Sequence, residues 1–239
     1  MNDPLDGQSD LFPDSRQNVF VSSWTSEEKD EIPMWKIYND LKGIRIRMPI
    51  DLFNHSGELI VAKLNDGDNY LIKSKLDKSY LINRKKAEYK TVDSADNAFK
   101  INSVYGPTKV DYCESEVSLN DGLVEMKKLA DFNSYEINLH LIGQKKIDYW
   151  SFEKEFRFRI FYGNAIKFAG SKGVIDKIFK ESPIITDFLD VNFKEDSLEN
   201  IQIIIGPKAN ADAKEKIERL LTNKKIKQFE IKESRIKFN

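Results

Sequence analysis

The sequence predicts a single α+β domain, a mixed or mostly antiparallel sheet with interspersed helices, and three observations carry that expectation. Apolar residues recur every second position in some stretches and every third or fourth in others. Those two kinds of stretch are mixed along the chain without the regular strand–helix alternation of a doubly wound sheet. The chain is also long enough, at 239 residues with 40% apolar side chains, 15 Phe, 9 Tyr and 3 Trp, to bury one substantial core.

Residues 1–18 read as an extended lead-in, since Asp3, Asp6, Asp10 and Asp14 and two prolines leave little apolar pattern. The domain proper is expected over 19–239. "NVFVSSW" is a short strand with Val19, Val21 and Ser23 on one side and Phe20 and Ser22 on the other. After the polar loop "TSEEKDE", Pro33 suits a first helical position, and the preceding acids suit the positive end of a helix. Met34, Ile37, Tyr38 and Leu41 then make one apolar stripe, and Gly43 ends the helix. "IRIRM" resumes as a strand with Ile44, Ile46 and Met48 inward and Arg45 and Arg47 outward. Strands are expected near 58–64, 69–73 and 104–112, with helices between. In 133–149 two periods compete: Asn133 with Glu136 resembles a capping box, whereas Ile137, Leu139 and Leu141 alternate. The polar run that follows favours a helix. Further on come a charged strand at 150–160, Gly163, a turn at "AGSKG" and a short helix "VIDKIFK". "NIQIIIGP" is a strand stopped by Gly206-Pro207, and "NADAKEKIERLL" is an amphipathic helix using Ala213, Ile217, Leu220 and Leu221. Strands "KQFEIK" and "SRIKF" close the chain.

No apolar run approaches the roughly 20 residues of a membrane helix, and the opening "MNDPLDGQSD" is acidic where a secretory leader is basic. A cytoplasmic protein without a membrane partner is expected. Cys113 alone excludes an internal disulfide, and with only His55 and His140 beside it no zinc ligand set exists. No metal is expected. The net charge of −1 is uneven, with 6 basic against 11 acidic side chains over 1–60 and 6 against 2 over 220–239. That falls short of the basic excess that neutralises many phosphates, so nucleic acid is a weakly supported partner.

The chemistry concentrates in "WSFEKEFRFRI" (150–160). Phe152, Phe156, Phe158 and Ile160 form an apolar side interrupted by Lys154, while Glu153, Glu155, Arg157 and Arg159 share the other. Neighbours on one face of a strand lie roughly 6.6 Å apart, so Glu155 and Arg157 can pair. A helical turn at 150–155 would instead bring Glu153 to Arg157. The arrangement is either a solvated ladder of ion pairs or the lining of a shared polar site, and composition leaves both open.

"NDPLD", "FVSSWTSEEKDEIPMWKIYNDLKGIRIRM", "KVDY", "WSFEKEFRFRI" and "IIIGP", in that order, resemble the bacterial family catalogued as domain of unknown function 2971. Members carry a further segment ahead of the Asn-Asp-Pro, so the resemblance implies that 1–18 is the remnant of a longer N-terminus. More loosely, the layout resembles the ADP-ribosyltransferase superfamily, whose sites combine an upstream Arg or His, a Ser-rich strand and a Glu-x-Glu strand. Ser22-Ser23 and Glu153-x-Glu155 match the second and third of these, and the first is missing. The resemblance implies NAD as co-substrate and an unknown acceptor. Glu155 would stabilise positive charge developing on the ribose, and Glu153 would orient or deprotonate the acceptor. Arg157 would hold the acids, Ser22 and Ser23 would brace the site, and Trp35 and Tyr38 would stack on the nicotinamide or adenine. The alternative is a non-catalytic nucleotide or nucleic-acid binding module. For it speak only a common Gly-x-x-Gly turn at 170–173 with lysines nearby and the helix start after Pro207, where capping by Asn210 is the plainer role.

Overall fold

The structure, a computed structural model, describes residues 6–7, 9–53, 56–63, 70–75, 81–82, 101–119, 121–138, 141–162, 167–181, 190–191, 193–194 and 196–237. Asn2, Asp3, Pro4, His55, His140 and Gly163 lie outside them. The described strands are, in chain order, β1 (Val19–Thr25), β2 (Ile44–Arg47), β3 (Ser56–Lys63), β4 (Tyr70–Lys75), β5 (Leu81–Ile82), β6 (Ile101–Lys109), β7 (Asp111–Cys113) and β8 (Val124–Lys128). They continue as β9 (Asn133–Asn138), β10 (Lys145–Ile147), β11 (Glu155–Tyr162), β12 (Lys167–Ser171), β13 (Asp190–Val191), β14 (Ile201–Ile205) and β15 (Phe229–Glu233). Helices are α1 (Ile32–Asn39), α2 (Glu116–Leu119), α3 (Lys172–Glu181) and α4 (Ala213–Asn223). The class is α+β with mixed and antiparallel sheets, as the interspersed periodicities predict. The chain forms two units, one of Met1–Ser26 with His55–Val191, the other of Glu27–Asn54 with Asn192–Asn239.

The first unit is built on a five-stranded antiparallel sheet in the order β1-β11-β6-β4-β3, with a three-stranded antiparallel sheet β12-β9-β8 beside it in the same unit. Its main apolar cluster joins Phe12, Val19, Leu123, Ile137, Ile142 and Ile175. Two expectations change here. The described residues of 133–149 form strands β9 and β10 and the start of a 3-10 helix over Asp148–Glu153 instead of one helix. Strand β9 lies between β12 and β8, so its backbone is paired on both sides and Ile137 is fully buried; tertiary pairing outweighs a capping pattern of about 1 kcal/mol. The described part of 1–18 is packed, not extended. Pro13–Asn18 is a 3-10 helix, Asp6, Phe12 and Ser15 are buried, and the Phe12 ring meets Tyr135 edge-on at 5.7 Å. A single Phe makes no periodicity, so this anchor leaves no pattern to read.

In the second unit β14 pairs with β15 in parallel and with β2 in antiparallel orientation. Ile201 and Ile203 pack on Leu221 of α4, and Ile204 packs on Trp35 and Leu41. The buried residue of α1 is thus Trp35, while Ile37 and Tyr38 of the expected stripe are about half exposed. The cause is local: the helix ends after eight residues, and left-handed Asp40 and Leu41 turn the Leu41 side chain into the Trp35 cluster. The alternation expected in β2 is also not kept, although Arg47 is exposed as expected. Ile44 and Ile46 are over 40% exposed, whereas Arg45 is held by the carbonyls of Lys29 (2.9 Å) and Glu28 (3.1 Å) and pairs with Asp30. Residues 234–237 form no strand; the Asp30 carboxylate instead accepts the Ser234 hydroxyl and the Arg235 N–H. Gly206 is required by close approach, because a Cβ there would lie 2.6 Å from the Leu41 carbonyl oxygen and 2.8 Å from that of Gly43.

Candidate functional site

Strand β11 is flanked by β1 and β6 and alternates as predicted, with Phe156, Phe158 and Ile160 opposite Glu155, Arg157 and Arg159. Both faces are covered: Arg157 is 2% exposed, Arg159 3% and Glu155 5%. That overturns the solvated ladder. The register of β1 against β11 sets Thr25 opposite Glu155, Ser23 opposite Arg157 and Val21 opposite Arg159, so these share the charged face. Ser22 lies opposite Phe158, on the other face, where its oxygen accepts the Trp24 indole N–H at 2.9 Å. Of the two serines only Ser23 reaches the acids, its hydroxyl bonding to Glu155 while the residue stays exposed.

Glu153 and Glu155 do not lie on one strand. Glu153 ends the 3-10 helix, and Lys154 in left-handed conformation (φ 44°) turns outward before β11 begins at Glu155. That turn removes Lys154 from the apolar side and breaks the alternation there. The two acids are nevertheless joined by Lys146, whose Nζ donates to Glu153 Oε2 at 2.6 Å and to Glu155 Oε2 at 3.3 Å. The same ammonium lies 4.7 Å above the Trp150 ring. Strand β10 pairs in parallel with β7, Lys146 opposite Tyr112, so both address the start of β11. The Tyr112 hydroxyl accepts the Glu155 backbone N–H at 3.0 Å.

Arg157 is the hub. Its Nε and Nη2 donate to Glu155 Oε1 and Oε2 at 2.7 and 2.9 Å, a bidentate pair. Its Nη1 donates to Asp6 Oδ1 at 3.0 Å and to the Gly143 carbonyl at 2.8 Å, and Nη2 stands 2.6 Å from Asp6 Oδ2. Arg159 Nη1 donates to the Ile142 carbonyl at 3.1 Å. Gly143 is left-handed (φ +72°), which lets the turn aim successive carbonyls at the two guanidinium groups. Three buried cations, Lys146, Arg157 and Arg159, thus accompany three buried anions, Asp6, Glu153 and Glu155.

Electrostatics follow from this set. Burial alone would push the Glu155 carboxyl up, but Arg157, the Ser23 hydroxyl and Lys146 outweigh it and hold it below the usual carboxylate range. Burial would likewise lower Arg157, and Glu155 and Asp6 raise it instead. The Tyr112 phenol is pushed up to about 12, first by burial. Some polar atoms of this network have no hydrogen-bond partner among the described residues, including Asp6 Oδ2, Arg159 Nε and the hydroxyl of Thr108, which lies opposite Arg157 on β6 and is 4% exposed.

The predicted residues therefore divide. Glu153, Glu155, Arg157 and Ser23 converge; Ser22 faces away; Trp35 and Tyr38 belong to the second unit, Trp35 inside its core. Lys146, Asp6, Tyr112 and Thr108 escaped the sequence reading. Lys146 looks like any basic residue in "QKKID", and Asp6 is one of several similar acids in the lead-in. Among the described residues no three His, Cys, Asp or Glu side chains gather as a metal ion would need. No helix among them is long and apolar enough to cross a membrane. Comparison of the chain with family models, curated proteins and solved structures finds no match.

Proposed function

We propose that the chain is a bacterial, cytoplasmic member of the family named domain of unknown function 2971, and that its first unit transfers ADP-ribose from NAD to an acceptor. The carrying observation is Glu155, a buried carboxylate held below the usual carboxylate range and hydrogen-bonded by the hydroxyl of Ser23, a residue that is itself exposed. NAD would supply the ADP-ribosyl group and a neutral nicotinamide leaving group. Glu155 would accept a ribose hydroxyl and stabilise the positive charge that grows as the nicotinamide bond breaks. Glu153, on the same ammonium, would take the proton of the attacking acceptor as the new bond forms. Arg157 and Lys146 act through the acids and are positioning residues.

A second reading has its own support. Three cations matched by three anions, all nearly sealed from water, suit a structural clamp that fastens Asp6 and the 142–143 turn to β11, as a non-catalytic nucleotide or nucleic-acid binding module would carry. Calorimetry with NAD, ATP and short RNA, together with an assay for released nicotinamide, separates the two. Ser23→Ala is the informative variant because Ser23 is exposed and its hydroxyl reaches Glu155. The transferase reading expects NAD binding, nicotinamide release and at least a tenfold loss of turnover in a Ser23→Ala variant that still folds cooperatively. ATP or RNA binding without nicotinamide release would establish the module instead.

A further inference from the structure

Strand β8 is an edge of its three-stranded sheet: β9 pairs with it on one side, and among the described residues no strand pairs with it on the other. The direction of its backbone groups follows from two bonds. Asn138 N–H donates to the Leu123 carbonyl and Leu129 N–H to the Phe132 carbonyl, both at 2.9 Å, so the alternation of an antiparallel ladder turns the backbone groups of Glu125 and Lys127 toward β9. The N–H and C=O groups of Val124, Met126 and Lys128 then point outward along the edge. Glu125, Met126, Lys127 and Lys128 are exposed, Met126 by 59%. Toward β9 the charges are poorly matched, because Glu125 lies directly opposite Glu136, and Lys127 stands 3.7 Å from Glu136.

We infer that β8 pairs with the β8 of a second copy of this chain, antiparallel about a two-fold axis at Met126, which joins two three-stranded sheets into one. Charge selects the register. With the axis at Met126, Glu125 of each copy lies opposite Lys127 of the other, Val124 lies opposite Lys128, and the two Met126 side chains meet. Glu125 thereby gains a cation where β9 offers it only Glu136. An axis at Glu125 or at Lys127 would instead set two glutamates or two lysines face to face. In the Met126 register the outward backbone groups of 124, 126 and 128 bond reciprocally, and the Lys128 stem covers Val124. Lysine on an edge ordinarily discourages strand pairing; here each Lys127 meets an acid, so it admits this register and opposes the others. One short strand from each copy makes a small contact, which suits a reversible dimer.

Sedimentation velocity of the full chain from about 1 to 300 μM tests this, with wild type expected to pass reversibly from monomer to dimer over that range. Met126→Pro removes one outward N–H and leaves the β9 ladder its bonds, so it should weaken the dimer at least about tenfold while the dilute chain still melts cooperatively. Glu125→Lys and Lys127→Glu should each weaken it about tenfold. The double variant restores opposite charges in reversed order and should return to within about threefold of wild type. A wild-type chain that stays monomeric throughout, leaving the edge to a foreign strand or to solvent, overturns the inference. So does a dimer indifferent to Met126→Pro, or a double variant that associates no more tightly than the single ones.

Discussion

Replacing Arg157 by methionine tests whether the charged face of β11 is an interior network. The substitution keeps much of the side-chain volume but strands two carboxylates. Glu155 loses both bonds of a bidentate pair, Asp6 loses its ion pair, and the Gly143 carbonyl loses a donor. Removing one partner of a buried pair costs about 3–5 kcal/mol, against about 0–1 for a solvated pair. With a urea slope of about 2–3 kcal/mol/M, the midpoint of the unit's unfolding should fall by about 1–2.5 M. Tryptophan fluorescence can follow it, since Trp150 stands beside the network. The pH dependence gives a second reading with a definite sign. In wild type the lowered Glu155 pKa contributes stability that is present above the unfolded value and lost as pH falls through the folded one. Without the guanidinium, burial acts on that carboxyl with less opposition and raises it, so the variant is penalised at pH 7 and relieved by protonation below. The gap between the two proteins should therefore narrow from pH 7 to pH 5. A midpoint within about 0.3 M of wild type and a constant gap would refute an interior network, since both belong to a solvent-exposed pair.

Two further outcomes check separate parts of the structure. Spectrophotometric titration should show one phenol ionising near pH 12 that is missing in Tyr112→Phe. Because its folded pKa lies above the unfolded value of about 10, the contribution of this group is complete below pH 10 and lost as pH rises through about 12. Phe12→Ala should cost about 3–5 kcal/mol, measurable by urea unfolding, because the ring is 1% exposed against Tyr135 and Ile142; a loss below 1 kcal/mol would return the segment to an unpacked lead-in.

How far local pattern determines this fold depends on the element. Strands β1, β11 and β14 and helix α4 follow from periodicity because each presents an apolar set to one cluster or sheet, although in α4 only Ile217 and Leu221 join the cluster and the expected Leu220 is 57% exposed. Where pattern misleads, a non-local term of similar size decides. Residues 133–138 become a strand because β8 and β12 offer pairing on both sides, and no local signal reports that. In α1 the stripe is real but the helix is too short to use it: the chain leaves helical geometry at Asp40, so Trp35 and Leu41 meet while Ile37 and Tyr38 stay outside. The inward side of β2 is set by where Arg45 finds carbonyl and carboxylate oxygens in 28–30, which outweighs two isoleucines on an edge strand.

The site shows the same division more sharply. Alternation predicts that Glu155, Arg157 and Arg159 share a face, and pairing rules predict the Glu155–Arg157 bond, since both depend on spacing within one strand. Whether that face is wet depends on what covers it, and the cover comes from afar: Asp6 is 151 residues from Arg157 along the chain, and the Gly143 and Ile142 carbonyls arrive on a turn between other strands. The difference between a ladder worth almost nothing and a network whose disruption costs several kcal/mol thus lies outside the motif that announces it. The Glu-x-Glu spacing illustrates the point. Its two acids are brought together by the Lys146 ammonium across a left-handed turn at Lys154, so the pairing that looked like strand geometry is made by a cation from β10. Residues that set the state of a charged site are therefore to be sought among its buried counter-ions, even where the sequence surrounding those counter-ions is nondescript.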